Sequence, residues 1–139
     1  MKKVAFICVA NACRSQIAQG LSKILGRGIY EAHSAGIAPL GSIFKGVYTL
    51  MARRGIDISD QYSKGIDDIP LNEMDFVITM GCCPADKICP IFFTGKKIDW
   101  DIPDPYGMGM DEVERVAQII EKKIRKFIRE NFMVANPTA

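Results

Sequence analysis

A three-layer α/β fold, with a four-stranded parallel sheet flanked by helices, is what the sequence predicts, and three observations carry the prediction. Short apolar runs of strand length alternate with stretches whose apolar residues recur at helical spacing, the pattern of successive βαβ units. The first run, Lys3 to Ile7, is apolar after its lysine without alternation, as a central strand of a parallel sheet is. The segments richest in reactive side chains follow the first, third and fourth runs, and in right-handed βαβ units those strand ends share one rim.

Lys3 to Ile7 is the first strand, and Cys8 ends it. Beyond a loop, Ser15 is the expected N-cap of a helix in which Ile17, Leu21, Ile24 and Leu25 recur on one face until Gly26 and Gly28 stop it. Ile29 to Ser34 is the second strand. A second helix spans Ser42 to Arg54, with Val47, Leu50 and Met51 inward and Gly55 as the stop. Phe76 to Met80 is the third strand, and Gly81 to Pro90, rich in Cys, Pro and charge, is a loop with one helical turn. Lys97 to Trp100 supplies a shorter fourth strand. After the turn at Pro103-Asp104-Pro105, Val113, Val116, Ala117, Ile120, Ile124, Phe127 and Ile128 mark a long amphipathic helix. One domain is expected over 1–132, and 133–139 are expected to fray as a C-terminal tail.

Composition narrows the function classes. The chain has 139 residues, long enough to bury a core without staples. Its 18 basic and 16 acidic residues leave a net charge of +2, which argues against nucleic acid or an anionic membrane as partner. No apolar run approaches the roughly 20 residues that span a bilayer, and the apolar start is too short for a signal peptide, so a cytoplasmic protein is expected. Five cysteines, Cys8, Cys13, Cys82, Cys83 and Cys89, then suggest catalytic, redox or metal duty rather than structural disulfides. A closed zinc site is hard to assemble from one histidine, His33, and no pair of Cys-x-x-Cys units. No metal is expected, although a thiol sensor or metal-binding module stands as the non-enzymatic reading.

The run Cys8-Val9-Ala10-Asn11-Ala12-Cys13-Arg14-Ser15 joins the first strand to the first helix. Five residues between Cys8 and Arg14 let the chain curl around one tetrahedral anion. Cysteine attacks as thiolate, a form favoured by backbone N–H groups and the positive end of a helix. The same N–H groups, with the forked guanidinium of Arg14, hold the oxygens of a phosphate-like ligand. A cysteine closing a buried strand is also a common small core hydrophobe. The strand before the loop, Ser15 after it and the amphipathic helix beyond favour the nucleophile.

Cys8-x5-Arg14-Ser15 after an N-terminal strand, Ser34-Ala35-Gly36 and the late Asp104-Pro105 together resemble the low-molecular-weight protein tyrosine phosphatase family, from about Lys2 to Phe132. That family holds both phosphatases and thioredoxin-coupled arsenate reductases. Val77 to Pro90, with Cys82 and Cys89 seven positions apart, resembles the redox segment of the reductases, and Gly55 to Ser59 is also similar to them. The resemblance implies arsenate reduction. Cys8 would be the nucleophile in an oxyanion loop of Val9, Ala10, Asn11, Ala12, Cys13, Arg14 and Ser15, with Arg14 as clamp and Asp104 as general acid. Cys82 would attack the arsenylated Cys8, and Cys89 would take over the disulfide. Thioredoxin is the implied external reductant, with no bound cofactor. The alternative is hydrolysis of phosphotyrosine through a phosphocysteine, which needs neither Cys82 nor Cys89.

Several residues keep two readings at this point. Cys83 competes with Cys82 as relay thiol, and Asp101 competes with Asp104 as acid. Asp104 is otherwise a turn aspartate between prolines. Asn11 is expected to bond to Ser34 and shape the loop, or else is an ordinary turn asparagine. Cys13 is either a disulfide partner of Cys8 or a buried bystander. His33 reads as structural rather than as a base, and Tyr106 as lining the mouth. Some reductases of the family hold potassium beneath the loop through Asn, Glu, Ser and Asp. Gln19 and Lys64 stand at the Glu and Asp positions here, so no potassium is expected, and the Lys64 ammonium is expected to replace it. Two further departures are Ala12, where many relatives carry Ser, and Gly81, one residue more than the commonest reductase spacing after Thr79.

Overall fold

The computed structural model describes residues 1–133. Its strands are β1 (Lys2–Cys8), β2 (Tyr30–Gly36), β3 (Phe76–Met80) and β4 (Lys96–Trp100). The helices are α1 (Arg14–Leu25), α2 (Lys45–Arg53), the single turn α3 (Ala85–Ile88) and α4 (Met110–Asn131). Two 3-10 turns, Ile66–Asp68 and Leu71–Glu73, lead into β3. The sheet order is β2-β1-β3-β4, with every pair parallel. The predicted class, a four-stranded parallel sheet between helical layers, is therefore the observed one.

Val4, Ala5, Phe6 and Ile7 of β1 have no exposed surface, as befits an inner strand of a parallel sheet. Side chains alternate across that sheet. Val4, Phe6, Cys8, Ile78, Met80 and Trp100 face the larger core, where α1, α2 and α4 pack. Ala5, Ile7, Ala35 and Val77 face a smaller cluster completed by Leu71, Met74 and Phe93. Helix α4 seals the larger core with Val113, Val116, Ala117, Ile120, Ile124, Phe127 and Ile128, all buried. Burying side chains of this size stabilises by about 1.5–3 kcal/mol each before entropy is counted.

Some boundaries differ from those expected, each for a tertiary reason. Ser15 does not cap α1: the N-cap is Cys13, without a side-chain cap, and Ser15 lies inside the first turn. Strand β2 runs on to Gly36 because its ladder with β1 continues to the Cys8–Gly36 pair. Helix α2 starts at Lys45 rather than Ser42, because Phe44 has a non-helical ψ of 132°, held with its N–H on Ala12 O at 2.9 Å. Ile24, expected inward, is 54% exposed, while Ile17 and Leu21 are buried. The turn expected in the Gly81–Pro90 loop is α3. Of the expected tail only Met133 is described, and the rest lies outside the described residues.

Gly36 is where β2 crosses the loop after β1. A Cβ there would lie 2.5 Å from Val9 O and 2.8 Å from Asn11 N, both backbone atoms. Gly36→Ala is therefore expected to destabilise by about 1–3 kcal/mol or more through forced backbone shifts. Urea unfolding measures it, and a wild-type midpoint would contradict the close approach.

Candidate active site

The loop from Cys8 to Arg14 is shaped by where its carbonyls go. Cys8 O accepts from Ile37 N at 3.1 Å, Val9 O from Ala38 N at 2.9 Å, Ala10 O from Leu40 N at 3.0 Å and Ala12 O from Phe44 N at 2.9 Å. Asn11 O accepts from Gln16 Nε2 at 3.0 Å, and Cys13 O from Ile17 N at 2.9 Å. In a trans peptide unit the N–H points opposite to the C=O, so outward carbonyls turn the N–H groups of the following residues inward. Among the described residues none of the N–H groups from Val9 to Arg14 has a protein acceptor. Inward N–H groups ending on a helix N-terminus make an anion cradle.

Asn11 holds this shape. It is buried, and its φ of 48° lies in the left-handed region, which asparagine tolerates better than most residues. Its Nδ2 donates to Ser15 Oγ at 2.7 Å and to Ser34 Oγ at 3.1 Å. Its Oδ1 accepts from Gln16 Nε2 and from Lys64 N, each at 2.9 Å. Both donor and both acceptor positions of the amide are thus used. The expected Asn11–Ser34 bond is present. Ser34 Oγ passes its own proton to Gln19 Oε1 at 2.6 Å.

The network also orients Ser15. Its Oγ lies 2.8 Å from Cys8 Sγ. Because Asn11 Nδ2 can only donate, Ser15 Oγ is the acceptor in that bond, and its single proton is free for the sulfur. Ser15 therefore serves the cysteine rather than the helix end. A side-chain cap on α1 would have occupied N–H groups that face the cradle.

Arg14 is buried and pinned from behind. Its Nη1 donates to Met80 O at 2.7 Å and to Ile102 O at 3.1 Å, at the ends of β3 and of the stretch after β4. Its Nη2 lies 3.7 Å from Asp104 Oδ2. Asp104 Oδ1 accepts from Tyr106 N at 3.0 Å, which fixes the turn. Cys8, Val9, Ala10, Ala12, Cys13, Arg14, Leu40, Asp104 and Tyr106 line one cavity of about 280 Å³. The cavity brings together the predicted nucleophile, clamp and acid. Asp101 lines a different depression, with Thr79 and Cys83. Burial, then the charges of Asp104 and Cys8, push the Cys13 thiol up to about 12 despite Arg14, so Cys13 stays protonated.

The second cysteine group sits beside β1. Cys82 Sγ lies 3.7 Å from Ile7 O, the residue before Cys8. Cys82, Ile88 and Cys89 are half-buried against the smaller apolar cluster that contains Ile7. Cys83, like Cys82, lines the depression by Asp99 and Trp100. Its thiol is pushed up to about 12, by burial first, then by a hydrogen bond and charge from Cys82, with Asp99 and Cys8 adding. Burial also raises Cys89, opposed by Lys97 and reinforced by Asp86 and Asp99. Gly81, the additional residue, has φ of 88°, and a Cβ there would meet Ile102 O at 2.7 Å and Arg14 Nη1 at 3.1 Å.

One expectation is corrected below the loop. The Lys64 ammonium does not point at the cradle: it donates to Tyr62 O at 3.1 Å and lies 4.6 Å from the centre of the Tyr62 ring, and burial lowers its pKa. The oxygens a cation would use are instead met by N–H donors, since Asn11 O and Oδ1 face Gln16 Nε2, and Oδ1 also faces Lys64 N. Gln16 was not anticipated. It has no exposed surface, also donates to Tyr62 O at 3.0 Å, and accepts from Gln61 Nε2 at 2.8 Å. The only sequence signal for it was a polar residue next to the inward-facing Ile17. His33 faces Glu31 at 3.5 Å and does not line the cavity.

Fold and cradle together define a class: α/β enzymes that hold a tetrahedral oxyanion over the sulfur of a loop cysteine. The profile of the low molecular weight phosphotyrosine protein phosphatase family matches residues 3–133, and the chain belongs to that family. It is 41% identical over 128 residues to an arsenate reductase of Staphylococcus aureus, covering 91% of this chain and 95% of that protein. A solved arsenate reductase in the phosphate-binding state superposes with a TM-score of 0.82 at 32% identity, over 94% of this chain and 98% of the other. The thioredoxin-dependent arsenate reductase of Corynebacterium glutamicum gives a TM-score of 0.75 at 35% identity, over 94% of this chain and 61% of that one.

Asn11→Ala removes four hydrogen bonds at once and leaves Lys64 N without its acceptor, while Ser15, Ser34 and Gln16 keep weaker sets of partners. A loss of about 2–4 kcal/mol is expected, with weaker binding of phosphate as a probe anion. Urea unfolding and phosphate titration measure both, and a loss below about 1 kcal/mol would show that the amide is not the hub.

Proposed function

We propose that this enzyme reduces arsenate to arsenite through an intramolecular disulfide relay that a thioredoxin-type dithiol resets. The observation that carries the reading is the seating of Cys82 and Cys89 on one apolar platform, with Cys82 at the carbonyl next to Cys8. Simple ester hydrolysis has no use for that pair.

The cradle N–H groups and Arg14 bind arsenate by its oxygens. The Cys8 thiolate attacks arsenic, and Asp104 protonates the departing oxygen, which leaves as water. The Cys82 thiolate then attacks Cys8 Sγ. The S–As bond breaks with its electron pair on arsenic, so As(V) becomes As(III), arsenite leaves, and two thiols have become one disulfide. The Cys89 thiolate attacks Cys82 Sγ, which frees Cys8 and moves the disulfide to the outer segment. An external dithiol reduces it in two electrons. Such a relay belongs in a reducing compartment, which the cytoplasm provides. Among the described residues no helix is long and apolar enough to cross a membrane.

Cys82 rather than Cys83 is the relay thiol in this reading, because Cys82 Sγ sits at the Ile7 carbonyl and Cys82, with Cys89, packs against the cluster that contains Ile7. Potassium has no role, because amide N–H donors already occupy the oxygens beneath the loop. A second reading, hydrolysis of aryl phosphates, is favoured by the cavity rim alone. There Leu40 and Tyr106 offer an apolar wall, with Tyr106 packed on Phe44 at 5.0 Å between ring centres.

Coupled NADPH consumption with arsenate, thioredoxin and thioredoxin reductase tests the relay. Cys82→Ser and Cys89→Ser should lose arsenate turnover while keeping hydrolysis of p-nitrophenyl phosphate, and Cys83→Ser should keep both. Retained arsenate turnover in Cys82→Ser or Cys89→Ser overturns the assignment. Replacing sodium by potassium at equal ionic strength should leave turnover unchanged, whereas marked activation would show that a cation enters beneath the loop.

A further inference from the structure

The segment that carries Cys82, Cys83 and Cys89 is tied to the protein at few points. Its backbone bonds are local: Lys87 N donates to Pro84 O, Cys89 N to Ala85 O and Phe93 N to Pro90 O. Among the described residues, three hydrogen bonds join Cys82–Phe92 to elements outside it. One is the long contact of Cys82 Sγ with Ile7 O at 3.7 Å. Another is the Lys97–Asp86 pair at 2.9 Å, whose Asp86 side chain is 84% exposed, and exposed pairs hold little. The third is Ala85 N to Asp99 Oδ1 at 2.9 Å.

That third bond is the substantial one. Asp99 lies on β4 directly opposite Thr79 of β3. Its Oδ1 also accepts from Thr79 Oγ1 at 2.5 Å, so the carboxylate is fixed to the sheet before it reaches α3. Ala85 is the first residue of α3 and has no exposed surface. A four-residue helix has no stability of its own, because nucleation costs more than one turn returns. The chain leaves β3 through Gly81, at positive φ, and the segment is clasped at Ala85.

We propose that Asp99 is a positioning residue of the redox relay: one oxygen, braced by Thr79, clasps the Ala85 N–H and so keeps Cys82 seated beside the Cys8 strand. The proposal rests on the disulfide relay described above. Asp99 touches neither substrate nor reacting sulfur in this scheme. It acts through α3, by keeping Cys82 at the Ile7 carbonyl in the reduced protein.

Hydrogen exchange on the reduced, intact protein tests the clasp independently of arsenate chemistry. In Asp99→Ala the Ala85 amide should exchange about tenfold faster, the factor that loss of one hydrogen bond of ordinary net strength gives, while the β1 amides keep their rates. Asp99→Asn retains an oxygen at the same place and loses only charge, so its Ala85 amide should stay close to wild type. Unchanged exchange in Asp99→Ala, equal acceleration in Asp99→Asn, or parallel acceleration in β1 overturns the clasp. In the thioredoxin-coupled assay, Asp99→Ala should lower kcat for arsenate several-fold at unchanged KM, with Asp99→Asn restoring it. Faster exchange without lower kcat overturns the positioning role. Absence of arsenate turnover in the wild type would sink the reductase reading instead, and the exchange arm would still decide the clasp.

Discussion

Six consecutive carbonyls, from Cys8 to Cys13, are held by donors that lie outside the cradle, and the rest of the site depends on that constraint. Peptide planarity leaves the neighbouring N–H groups no direction but inward. The donors themselves come from the stretch Ile37 to Phe44 that follows β2, from α1 and from the side chain of Gln16, so the cradle exists only when β1, β2 and α1 are in place. This explains why Gly36, which brings β2 against Val9 and Asn11, admits no side chain.

The support beneath the loop is built of neutral amides and hydroxyls: Asn11, Ser15, Gln16, Gln19, Ser34 and Gln61. Burying such groups costs least when each finds partners: Asn11 finds four, whereas Gln61 Oε1 has none among the described residues. The reward is directionality. A cation would raise the potential around the loop without orienting any proton, whereas the chain from Asn11 to Ser15 leaves one hydroxyl proton aimed at Cys8 Sγ.

The two faces of the sheet are unequal, and the inequality suits the chemistry. Under the loop, α1 and α4 bury a dense core that keeps Cys8 and Arg14 fixed. Under the cysteine segment there are only α3, two 3-10 turns and a small cluster. Few buried contacts and few long-range hydrogen bonds mark regions that open at low cost. In the proposed mechanism the nucleophile uses the rigid face, and the relay that carries a disulfide away uses the yielding one.

Apolar periodicity and spacing were enough to read β1, β3, the turn inside Gly81–Pro90, the inward face of α4 and the Cys8 to Arg14 loop, because those signals are local in the chain. The Asn11–Ser34 bond was also legible, through the family resemblance. Gln16 was not, since a buried glutamine on a helix looks like any polar helical residue until Tyr62 and Gln61, more than forty positions away, close on it. Ser15 was misread as a cap and Lys64 as a charge under the loop for the same reason: each side chain had several partners within reach, and only assembled neighbours select one. The sequence by itself determined the candidate residues of the site and the order in which strands and helices present them. The tertiary structure decided where their protons and N–H groups point, because hydrogen-bond direction is set by partners that the chain brings together only on folding.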